Sequence, residues 1–240
     1  MFKKLIICIL LIFPITSFSE DEKKIFQELK VVAENGSPEA QYHLGMLYNN
    51  GLGTEKNAEA ALKWFKKSAE GGDPLGHYKL GCYYSGQAGN LLPIDENKAL
   101  EHKLVAAQAG YTLAQDEVAG IYYQRGEYDK AVYWWEQGVY QGDPYSFYKL
   151  FSMYYEGKVI PKNIEKSYWL IKIIEKNSDN QEKEKIQPKI TDLETQLTTE
   201  QISKLNTEIA AWKSERSELT IKAKSGIKET KQVIENAKKM

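Results

Sequence analysis

The chain has 240 residues, 42% hydrophobic and 27% charged, a balance that suits a folded globular or repeat protein and excludes a disordered or membrane-integral one. Its formal net charge is −1, and −3 once Lys3 and Lys4 are removed with the first nineteen residues. No run of five like charges occurs, so there is no clustered basic surface of the kind nucleic acid requires.

The N-terminus reads as a secretory signal over residues 1–19. Phe2-Lys3-Lys4 is a short basic start, Leu5 to Ile15 is almost wholly apolar, and Thr16-Ser17-Phe18-Ser19 places small residues at −3 and −1 of a cut after Ser19. The apolar run is far below the roughly 20 residues that span a bilayer, so no membrane insertion is expected after cleavage. Cys8 falls inside that run, leaving Cys82 as a single, buried and inert thiol without a disulfide partner. The expected location is periplasmic or extracellular.

Residues 20–35 follow as an amphipathic capping helix, with Ile25, Leu29 and Val32 on one face. Four similar segments line up from Ala33, Ala69, Ala107 and Val139, with shared glycines Gly36, Gly72, Gly110 and Gly142, and the four repeats, starting near 36, 72, 110 and 142, occupy 36–178. Each glycine ends a helix in a conformation that only glycine adopts cheaply. Ser37-Pro38, Asp73-Pro74 and Asp143-Pro144 then supply an N-cap and a first-turn proline for the next helix. Leu44, Leu80, Val118 and Leu150 share one position, and Tyr48, Tyr84, Tyr122 and Tyr154 share another four residues on, which puts both sets on one buried face. In each second helix Ala61, Ala99, Ala131 and Ser167 match, followed three residues later by Trp64, His102, Trp134 and Leu170.

Residues 179–215 read as C-terminal capping helices: Ile186, Ile190, Leu193 and Leu197 form one stripe, and Ile202, Leu205, Ile209 and Trp212 another. Thr198 and Gln201 have the spacing of a capping box. The lysine- and glutamate-rich residues 216–240 are either a helical extension or a disordered tail. The whole is an all-α chain, a right-handed α-solenoid of four antiparallel helix pairs with helical caps.

The pattern A-x-x-G-x-x-x-A-x-x-x-L-G-x-x-Y, a glycine-bearing loop such as Asn50-Gly51-Leu52-Gly53, then A-x-x-W-x-x-x-A-A-x-x-G, resembles the Sel-one-like repeat, a relative of tetratricopeptide repeats. The resemblance spans residues 33 to 178 and weakens in the fourth repeat, where Phe151, Ser167 and Leu170 depart from it. It implies a protein- or peptide-binding module, monomeric and not an enzyme, acting as an envelope adaptor or as a periplasmic immunity protein that inhibits a secreted toxin. Some cysteine-rich relatives are credited with β-lactam hydrolysis. This chain lacks their paired cysteines, so that activity is not carried over.

No catalytic residue, metal site or cofactor is expected. GxSxG, P-loop and GxGxxG motifs are absent, and His43, His77 and His102 lie at three different repeat positions without ligand spacing. His102 stands where Trp64 and Trp134 stand in their own repeats, so it reads as a packed core residue. Tetratricopeptide geometry instead implies a concave face lined by first helices. Its inward positions are Tyr42, Tyr78, Asp116 and Tyr148; Asn49, Ser85, Tyr123 and Tyr155; and Glu39, Leu75, Leu113 and Tyr145. Six of these twelve are tyrosine, whose rigid amphipathic ring suits an interface as well as a helix–helix packing layer. With Glu156 nearby, Glu39 and Asp116 make the face acidic, matching a neutral or basic partner.

Overall fold

The computed structural model describes residues 18–239, so all but the last two residues of the expected signal segment lie outside it. Thirteen helices and no strand occur among the described residues. Helix α1 (Glu20–Glu34) precedes four antiparallel pairs: α2 (Pro38–Asn50) with α3 (Ala58–Glu70), α4 (Pro74–Tyr84) with α5 (Glu96–Gln108), α6 (Thr112–Gln124) with α7 (Tyr128–Tyr140), and α8 (Pro144–Glu156) with α9 (Ile164–Asn177). Each pair packs within itself and against the next, so the array is an α-solenoid. Helices α10 (Asn180–Glu194) and α11 (Thr199–Ala211) close its far end on α9.

The local chemistry explains the boundaries. Gly36, Gly72, Gly110 and Gly142 have φ between 76° and 98°, the left-handed region in which a Cβ is costly. Ser37, Asp73 and Asp143 each accept a hydrogen bond from the third N–H of the helix they open. In the third repeat Tyr111 stands at that position and supplies no side-chain cap. Thr198 and Gln201 form the reciprocal capping box at the start of α11.

The repeat core is built from the matched small residues: Ala61, Ala99, Ala131 and Ser167 are at most 1% exposed. On α1 the buried face is Phe26, Leu29 and Ala33, with Ile25 and Val32 half-buried at its edge. One assignment is reversed. Tyr48, Tyr84 and Tyr122 are only half-buried, whereas Tyr42 and Tyr78 are almost fully enclosed; of the expected core tyrosines Tyr154 alone is buried.

The described residues beyond 215 form two helices packed on the array. Helices α12 (Glu218–Ser225) and α13 (Ile227–Ala237) run back along the array, from the third repeat to the first. The Glu215 N–H donates to Tyr140 O (2.9 Å), Leu219 and Ala223 pack on the core cluster containing Tyr42, Leu75 and Phe65, and Val233 and Ile234 are buried with Phe26, Leu29 and Leu44. Helix α13 thus rests on α1 and α2, and the segment forms a strap over the inter-repeat turns.

Candidate partner-binding site

The strap is fixed by a polar latch at the turn into the uncapped third repeat. Thr220 Oγ1 accepts from the Thr112 N–H (3.0 Å), one of the orphan donors of the α6 N-terminus, and its own proton reaches Gly110 O or Gln141 Oε1, each at 3.0 Å. Ser217 adds a hydroxyl bond to Gly110 O (2.6 Å) and an N–H bond to Gln141 Oε1 (3.0 Å). A Cβ built on Gly142 would lie 2.6 Å from the Ser214 Cβ, so the glycine that ends α7 also lets the strap pass. Nearer the first repeat, Lys222 pairs with Glu39 (3.7 Å), the Thr230 hydroxyl meets His43 Nδ1 (3.1 Å), and Lys238 pairs with Glu28 (3.1 Å). His43 is 5% exposed; burial, reinforced by the Lys222 ammonium, lowers its pKa to about 4, so the ring is neutral.

The strap divides the face expected to bind a partner. Along the equivalent positions Glu39, Leu75, Leu113 and Tyr145, Glu39 is engaged by Lys222 and Leu75 is 5% exposed within the cluster on which the strap packs. Leu113 (47% exposed) and Tyr145 (52%) are open. Lys149 lies over the Tyr145 ring at 4.8 Å.

The other expected residues fall into two groups. Tyr42 and Tyr78 are packing residues in this structure. Tyr42 lies edge-on to His43, and the Tyr78 hydroxyl donates to Glu117 Oε1 (2.9 Å). Ser85 belongs to the same inner network: Lys103, 2% exposed, reaches Glu117 Oε2 (2.7 Å), Gln87 Oε1 (3.2 Å) and Ser85 Oγ (3.3 Å). Asp116 is half-buried and accepts from Trp135 Nε1 (2.9 Å); burial, opposed by that bond, raises its pKa to about 6. Tyr123 and Tyr148 remain exposed, Asn49 is exposed beside Asn50, and Tyr155 is half-buried. The hydroxyls of Tyr148 and Tyr155 are steered by Glu182 and Asp192 of α10, each at 3.0 Å.

Lys103 and Glu117 were not among the expected residues, although one signal was present. Lys103 occupies the position of Phe65, Trp135 and Ile171, all buried in their own repeats. A lone lysine in that register requires a buried carboxylate partner. His102 is likewise more than packing: its Nδ1 lies 2.9 Å from His77 Nδ1 and its ring stacks on Tyr84, with burial depressing both histidine pKa values. Cys82 is a buried free thiol whose pKa burial raises. No helix of the described residues is long and apolar enough to cross a membrane.

The sequence model of the Sel1 repeat, the Sel-one-like repeat, matches residues 38–73, 74–111, 112–143 and 145–173, more than half of the chain. The chain belongs to the Sel1 repeat family. An uncharacterised protein of Neisseria meningitidis serogroup B is 32% identical over 134 residues, 56% of this chain and 28% of that one. A chitin synthase regulator of Saccharomyces cerevisiae is 42% identical over 53 residues, 22% of this chain and 8% of that one. This Sel1 repeat chain therefore spans less than a third of either relative. Among solved structures, a Sel1 repeat protein from Oxalobacter formigenes superposes with a TM-score of 0.60 at 23% identity, over 70% of this chain and 49% of that one, which shows the shared solenoid fold. Sel1 repeat proteins are in general non-enzymatic protein–protein interaction modules.

Proposed function

We propose that this is an exported adaptor of the Sel1 repeat family that binds a protein or peptide on the first helices of its third and fourth repeats. The observation that carries this reading is the unequal cover of one row of equivalent positions, strapped at Glu39 and Leu75 and open at Leu113 and Tyr145. Exposed Tyr145, Tyr148 and Tyr123 with Leu113 provide rigid contact area there, of the kind that anchors interfaces. The partner meets both signs of charge, since Lys149 stands over Tyr145 and Glu182 holds Tyr148.

The test is affinity capture from the native cell's envelope fraction with wild type and with Tyr145→Ala/Tyr148→Ala, alongside a control substitution at exposed Asn49. Capture that survives Asn49→Ala and disappears with the tyrosine pair supports the adaptor face. Capture unaffected by the pair overturns it. One stoichiometric, very tightly held partner would move the reading from adaptor to an immunity-type inhibitor on the same face, because a dedicated inhibitor engages one enzyme one-to-one.

A further inference from the structure

On the second-helix side, beside the root of the strap, a cleft of about 360 Å³ opens between α7, α8, α9 and α11. Its walls repeat one motif. Glu136 and Tyr140 on α7, Glu165 and Trp169 on α9, and Glu208 on α11 with Trp212 just past its end are each a carboxylate four residues before an aromatic ring. On α7 and α9 that spacing puts the carboxylate and the ring on one side of the helix, a turn apart, and Trp212, in extended backbone after α11, lines the cleft with Glu208. Leu150 and Tyr154 of α8 and Leu205 of α11 line the floor.

The two indoles meet at right angles with their centroids 5.8 Å apart, held against Phe147, so they form a rigid corner. Three carboxylates border the cleft against a single ammonium, Lys166. That ammonium is already committed, 3.1 Å from Glu136 Oε1 and 2.9 Å from the Tyr154 hydroxyl. Glu165 is oriented by Gln201 Nε2 at 2.7 Å, a neutral donor that leaves its charge uncompensated. Aromatic side chains and surplus negative charge lining one cleft favour a cation that is weakly hydrated and partly apolar.

We propose that this cleft is a binding site for a methylated ammonium group, supplied either by a methylated lysine side chain of a protein partner or by a free methylated ammonium compound. It is independent of the exposed tyrosine face, and its test uses no partner. Choline is titrated into the full chain while the five indole N–H resonances are followed, with 3,3-dimethylbutan-1-ol, the neutral carbon isostere of choline, as control. The expected result is saturable movement of the Trp169 and Trp212 signals by choline, with the isostere weaker by roughly ten-fold, the range of a partly desolvated cation–π site.

Glu208 is exposed, so Glu208→Gln is expected to leave the melting temperature unchanged while weakening choline several-fold. Competition by Nα-acetyl-Nε-trimethyl-lysine amide assigns the site to a methylated lysine side chain; binding of choline without such competition assigns it to a free methylated ammonium. Equal binding of choline and the isostere, or no saturable shift at tens of millimolar choline, would overturn the proposal.

Discussion

His43 illustrates how one buried side chain ties the strap to solvent conditions. Its folded pKa of about 4 lies below its ordinary value of 6.5, so between those values the unfolded chain binds more protons than the folded one. The stability it contributes is therefore complete above about pH 6.5 and is lost as the pH falls towards 4. From pH 7 to pH 5 the loss is about 2 kcal/mol. Asp73 and Asp116, raised to about 6 by burial, act in the opposite sense, gaining stability as the pH falls through 6. The diagnostic is thus a comparison. Urea denaturation of wild type and His43→Gln at both pH values is expected to show a gap that narrows by about 2 kcal/mol at pH 5. The residues that matter here were unevenly legible. Caps at Ser37, Asp73 and Asp143 follow from local sequence because a cap needs only its own helix. The fate of Tyr42 and Tyr78 depended on Glu117, Lys103 and the returning strap, which no helical period reveals.

At the level of elements, the third repeat and the strap complete each other. Tyr111 leaves the start of α6 without a side-chain cap, and Thr220, more than a hundred residues later, accepts from the Thr112 N–H, a first-turn donor that proline removes in the other three repeats. Thr220→Val keeps the shape and removes the hydroxyl. It leaves the Thr112 N–H without that acceptor and takes a donor from the latch, and is expected to cost about 1–3 kcal/mol. Amide exchange should rise first at Thr112, a local signature that a diffuse packing defect would not give. The absence of Ser, Asp or Asn at residue 111 was visible in the sequence as a break in the cap pattern. What fills the gap was not visible, since α12 is only eight residues long and its contact at that gap is the Thr220 hydroxyl. The repeats themselves were readable, because four in-register copies of one pattern constrain each other in a way that one copy cannot.

Across the whole molecule, removal of residues 217–240 tests the strap as a structural member. Val233 and Ile234 are 6% and 3% exposed, and burying such side chains contributes about 1.5–3 kcal/mol each. Set against the entropy of ordering the segment, a net loss of about 3 kcal/mol is expected, seen as a lower urea midpoint and faster exchange in α1 and α2. The fourth repeat should keep most of its protection, because α10 and α11 cap α9 independently of the strap.

A linear array of repeats ordinarily melts by peeling from its ends, each lost unit exposing the next. Here α13 lies on α1, so the first repeat is held by a segment that must first leave the third. Peeling is replaced by a closed circuit, in which no unit is terminal and all of them let go together. The same circuit sets a gauge on growth: duplicating one helix pair would lengthen the array beyond the reach of a strap cut to four. Such a duplication, harmless in an open stack, would here have to be matched by a longer strap.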